Sequence, residues 1–183
     1  MEFHMHRLLA CAILAFTLCA PATAALDIGE AAPDFTASAA LGGAIYKFSL
    51  AESLKKGPVV LYFFPAAFSD GCSAEAHEFA EAIPRFTELG ATVLGVSADD
   101  IDVLAKFSTQ ACQSKFPVAA DPTMGVIKSY DAVLKTRPEY ANRITYVIAP
   151  TGKVVYHYIN LNPTRHVDRA LNALRTWADG KPK

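Results

Sequence analysis

The chain has 183 residues, 52% of them apolar, with 17 basic and 18 acidic side chains and a net charge of −1. Near-neutral charge argues against nucleic acid or an anionic membrane as a partner. The length suits one domain with room for a proper core.

Arg7 precedes an apolar run from Leu8 to Ala20 that is too short to cross a bilayer, and Pro21-Ala22-Thr23-Ala24 ends in Ala-x-Ala. This pattern predicts a secretory signal peptide over residues 1–24, cleaved to leave a domain over 25–183, exported to the periplasm or beyond. Met5 is an alternative start, and the bulky Leu18 before Cys19 disfavours lipid attachment. Cys11 and Cys19 leave with the signal, so the mature chain keeps Cys72 and Cys112. Two cysteines in an exported protein ordinarily mean one structural disulfide.

Ala25 to Lys47 reads as a loop-rich lead-in, with Gly42-Gly43 and a β-type Ile45-Tyr46-Lys47-Phe48. Ser49 to Lys56 predicts a short helix closed by Gly57-Pro58, and Val59 to Phe64 a central strand apolar on both faces. Cys72 to Leu89 has helical spacing in Phe79, Ile83 and Phe86, with Pro84 expected to kink it and Gly90 to cap it. Ala91 to Ser97 is the next strand; Ser97 or Asp99 can cap a helix running to about Ala111. A short strand, Phe116 to Ala119, and a brief helix, Met124 to Tyr130, lead to a loop containing Pro138. Ile144 to Ile148 and Val154 to Tyr158 form a hairpin, and Asn162-Pro163-Thr164 opens a last helix to Trp177. The order βαβαβαββα predicts an α/β, thioredoxin-like fold: parallel strands, an antiparallel edge from the late hairpin, and helices on both faces of a central mixed sheet.

The chemistry concentrates in Pro65-Ala66-Ala67-Phe68-Ser69-Asp70-Gly71-Cys72, between the buried strand and the long helix. A cysteine in the first turn of a helix meets free N–H groups and the positive end of the dipole, which favour a thiolate. Ser69 can hydrogen-bond the sulfur or an approaching oxygen, and Pro65 ends the strand and shields the sulfur from water. Arg143, just before the strand Ile144 to Ile148, is placed near the crevice where strands and helix starts meet, within reach of the sulfur. A plain surface cation is the alternative for Arg143. Arg137 is a weaker rival because Pro138 extends its backbone.

These residues, with Arg143-Ile144-Thr145 downstream, resemble the active-site signature of peroxiredoxins, cysteine peroxidases of the alkyl hydroperoxide reductase/thiol-specific antioxidant superfamily. Ser-Asp-Gly-Cys-Ser-x-Glu-Ala, Val-Ser-Ala-Asp and Phe116 to Pro122 most resemble the bacterioferritin-comigratory, or Q-type, branch. The resemblance spans roughly Leu26 to Trp177. It implies that Cys72 is the peroxidatic cysteine, with Ser69 at a position usually held by Thr, and Pro65 and Arg143 completing the quartet. Glu75 matches an acid that orients the arginine; a solvated helix acid is the alternative. His77 stands where many of this branch carry a second cysteine, which excludes that version of the cycle, and it is expected as a partly exposed helix residue.

Some Q-type relatives place a resolving cysteine in the following helix, which points to Cys112. A buried, inert Cys112 with an external thiol closing the cycle, or a permanent structural bridge, remain open. The resemblance further implies a peroxide substrate, a thioredoxin-like or small-thiol reductant, no cofactor, no metal and a monomer. An exported thiol–disulfide oxidoreductase would need Cys-x-x-Cys, and a copper-handling thioredoxin-fold protein Cys-x-x-x-Cys with a distant His. Neither motif is present, and His157 and His166 are expected on a hairpin and a helix surface.

Overall fold

The computed structural model describes residues 25–180, so the expected signal peptide lies outside the described residues. Seven strands form one sheet: β1 (Thr36–Leu41), β2 (Ala44–Ser49), β3 (Val59–Phe63), β4 (Thr92–Ser97), β5 (Val118–Ala120), β6 (Ile144–Ile148) and β7 (Val154–Ile159). The helices are α1 (Leu50–Leu54), α2 (Asp70–Glu88), α3 (Ile101–Gln110), α4 (Gly125–Ser129) and α5 (His166–Asp179), the last entered through a 3-10 turn, Pro163–Arg165. Among the described residues no helix is long and apolar enough to cross a membrane.

The strand order is β2-β1-β5-β4-β3-β6-β7. Only β3, β4 and β5 run parallel; β6 lies antiparallel beside β3, and β1 antiparallel beside β5. The mixed sheet is as expected, but antiparallel pairing is not confined to the late hairpin. The lead-in is also more ordered than expected, because β1 and β2 form a hairpin around Gly42-Gly43. Both glycines have positive φ, 57° and 82°, as the tight turn between twisted strands requires. Alanines and serines obscure β1 in the sequence, yet Ala37, Ala39 and Ala40 are buried.

Alternation along β3 divides the core. Val59, Leu61 and Phe63 join Tyr130 and Tyr146 on the face covered by α1 and α4. Val60, Tyr62 and Phe64 join residues of α2, α3 and α5 on the other face. Helices therefore cover both faces, as expected. Gly95 in β4 belongs to this packing: a Cβ there would lie 2.8–2.9 Å from the Tyr62 ring, which stacks on Phe79 with centroids 4.4 Å apart. Helix α2 begins two residues earlier than expected and runs unbroken through Pro84, ending where Gly90 takes φ 68°.

Candidate active site

Strand β3 delivers the chain to Pro65, and the loop 65–69 turns it into α2. The loop is tied down by Asp99, whose Oδ2 accepts the Ala67 amide and the Ser97 hydroxyl, each at 2.8 Å. Asp99 is thus an anchor rather than a helix cap, Asp100 occupying the N-cap position. Phe68 adopts φ 63°, unusual for a residue with a side chain, and rests its ring edge-on against Phe107 at 5.3 Å. Cys72 is the third residue of α2 and is 1% exposed.

Arg143 reaches this sulfur because of strand direction. Ile144 at the start of β6 pairs with Phe63 at the end of β3, so the residue before β6 arrives beside the loop leading to α2. A parallel β6 would have carried it to the opposite edge; the antiparallel ladder replaces the crevice geometry expected from an all-parallel core. Arg143 is 5% exposed, and its planar fork is used on three sides. Nε donates to the Leu161 carbonyl at 2.9 Å, Nη1 donates to Glu75 Oε2, and Nη2 donates to Cys72 Sγ at 3.4 Å. Gly71 leaves room for it, since a Cβ there would lie 3.4 Å from Nη2.

Glu75 is fully buried, so the orienting reading holds and the solvated one does not. Burial pushes its carboxyl up to about 8, against the pull of Arg143. Burial also works against charge on Arg143, but Glu75 and Cys72 outweigh it and hold the guanidinium above its ordinary value. The arrangement presents a cationic fork to a buried sulfur, the requirement for holding an anionic sulfur or a developing oxyanion.

Ser69 is exposed at the N-cap of α2; its hydroxyl donates to the Ala66 carbonyl at 3.1 Å rather than to the sulfur. Pro65 is half-buried at the head of the loop. Arg137 is exposed, paired with Glu139 and lying 4.3 Å over the Tyr140 ring, away from the sulfur. Cys112, just past α3, is a free, fully buried thiol in the same core layer as Cys72, and burial pushes it up. Gln113 and Ser114 after it have φ of 51° and 58°. Gln113 Nε2 bonds Nδ1 of the exposed His77 at 2.7 Å, and Lys115 bonds Glu81 at 2.9 Å, so the loop is fastened to α2. Among the described residues no three His, Cys, Asp or Glu side chains converge as metal ligands.

Sequence reasoning missed Asp99, the Leu161 carbonyl and His166. His157 lies on β7 as expected, but His166 is fully buried rather than on a helix surface. Its spacing to Ala170 and Leu174, four and eight residues on, places it on the apolar stripe of α5.

The AhpC/TSA family model matches residues 28–157. Mouse Peroxiredoxin-2 is 34% identical over 158 residues, covering 82% of this chain and 79% of the mouse protein. Chloroplastic Peroxiredoxin Q of Oryza sativa subsp. japonica is 32% identical over 149 residues, 81% of this chain and 66% of the rice protein. The crystal structure of Peroxidoxin BcpB from Mycobacterium tuberculosis superposes with a TM-score of 0.73 at 29% identity, covering 81% of this chain and 96% of that one. With more than half its length matched by the family model and a cysteine–arginine site at the head of α2, the chain belongs to the AhpC/TSA family and is a peroxiredoxin, a thiol-dependent peroxidase.

Proposed function

We propose that Cys72 is the peroxidatic cysteine and Cys112 the resolving one. The Cys72 thiolate attacks the terminal peroxide oxygen; an S–O bond forms, the O–O bond breaks, and the leaving oxyanion departs as water or alcohol after taking a proton. Arg143 supplies hydrogen bonds to that oxyanion. Pro65 and Ser69 line the approach, Ser69 keeping hydroxyl lone pairs free for a protonated peroxide oxygen. The Cys112 sulfur then displaces hydroxide from the sulfenic acid, giving a disulfide and water. A thioredoxin-like or small-thiol donor returns both sulfurs to thiols by exchange. The observation that supports this most is the Nη2–Sγ contact of 3.4 Å, braced by Glu75 and Leu161.

Exposed Phe68 beside the entrance favours acceptance of organic hydroperoxides as well as hydrogen peroxide. Export is part of the proposal; it rests on residues 1–24, and the mass of the secreted chain should correspond to cleavage after Ala24. The central test is peroxide consumption by cysteine variants. Cys72→Ser should abolish it, and Cys112→Ser should give one turnover and stall when a thioredoxin-like donor is the reductant. Full activity in Cys72→Ser would overturn the assignment.

A further inference from the structure

His166 has no part in the chemistry above, yet it is a fully buried polar side chain whose two ring nitrogens are both engaged. Nε2 lies 2.9 Å from the Asn160 carbonyl, which can only accept, so Nε2 carries the proton. Nδ1 therefore accepts the Thr145 hydroxyl at 2.7 Å. The ring is neutral in this arrangement, and burial holds it near that state by lowering its value to about 4. The Glu75 Oε1 approach at 3.6 Å is accordingly not an ion pair. The Tyr158 ring meets His166 edge-on at 4.8 Å, and Arg143, just before β6, is the cation whose charge acts on it.

Both hydrogen bonds lead to Arg143. Asn160 immediately precedes Leu161, whose carbonyl accepts Arg143 Nε, and the Asn160 amide donates to the Arg143 carbonyl at 3.3 Å. Thr145 lies two residues along β6 from Arg143. We propose that His166 is a positioning residue, pinning the 160–161 turn to β6 so that the guanidinium is aimed at Cys72. This rests on the peroxidase reading above.

The test uses the full chain carrying Cys112→Ser, so that a single turnover is read, and compares His166→Phe with His166→Gln. Glutamine can place an amide N–H near Nε2 and still donate to Asn160; phenylalanine fills the space and donates nothing. Oxidation of Cys72 by hydrogen peroxide should fall about tenfold or more in His166→Phe, the scale of a displaced oxyanion donor, and stay within about threefold in His166→Gln. Alkylation by iodoacetamide, read on the alkaline plateau of each variant so that loss of thiolate is not counted, should fall much less in either, because its leaving iodide needs no guanidinium. An unchanged peroxide rate in His166→Phe, equal losses in both variants, or equal losses with both reagents would overturn the proposal. If His166→Phe does not fold, His166→Asn replaces it, being too short to reach Asn160, with the same expected and overturning results. A parent chain no faster with peroxide than Cys72→Ser would sink the peroxidase reading itself, whereas a fast parent with an equally fast His166→Phe sinks only this inference.

Discussion

Arg143 shows why charge alone is too coarse a description of this site. Its three bonds leave in three directions from one plane, to a carbonyl, a carboxylate and a sulfur. Lysine could supply the charge but not the fork. Arg143→Lys is therefore expected to slow Cys72 oxidation by hydrogen peroxide about tenfold to a hundredfold, measured by single-turnover stopped flow; a rate within twofold of the parent would contradict this. Gly95 makes a purely structural counterpart. Tyr62 cannot retreat from an added methyl because Phe79 backs its ring, so Gly95→Ala should cost about 1–3 kcal/mol in urea unfolding. At this scale the cysteine–arginine contact was readable, because a cysteine behind Pro-x-x-x-Ser and a distant arginine are chemically conspicuous. Asp99 and His166 were not, since what they do depends on whose backbone lies opposite them.

At the scale of elements, the loop after α3 has the features of a restrained segment. Two consecutive side-chain-bearing residues, Gln113 and Ser114, sit at positive φ, a conformation costing on the order of 1 kcal/mol or more apiece. His77 and Glu81 of α2 hold Gln113 and Lys115 against it. If Cys112 resolves the sulfenic acid, this loop and the first turn of α2 must both loosen. The double variant His77→Ala/Lys115→Ala should then form the Cys72–Cys112 disulfide several-fold faster after one equivalent of peroxide, followed by the loss of free thiols. An unchanged rate would show that the fastening does not limit resolution. Helix α2 itself was legible from its apolar spacing, whereas β1 was not, because small buried residues such as Ala37, Ala39 and Ala40 look like a loop when only hydrophobicity is counted.

For the whole molecule, the buried neutral imidazole of His166 ties stability to pH. An unfolded chain takes up that proton near pH 6.5, but the folded one resists until about 4. Stability from this group is therefore complete above 6.5 and lost as pH falls from 6.5 to 4, about 3 kcal/mol at most. Urea unfolding at pH 7 and pH 4.5 should show a smaller loss for His166→Gln than for the parent; equal losses would rule the effect out. The general architecture was readable from alternating strand and helix patterns, and helices do cover both faces. The direction of β6 was not readable, because an apolar five-residue strand has the same composition whichever way it runs.

That direction has an evolutionary and engineering corollary. Residues 135–139, upstream of β6, are an exposed tip, while Arg143 is moored by the ladder that follows it. Lengthening the tip, for instance by inserting two glycines after Thr136, should leave peroxide turnover intact, whereas slipping β6 by one residue would turn the guanidinium to the wrong side of the sheet. The approach to the strand is free to drift in length; the pairing that berths the arginine is not.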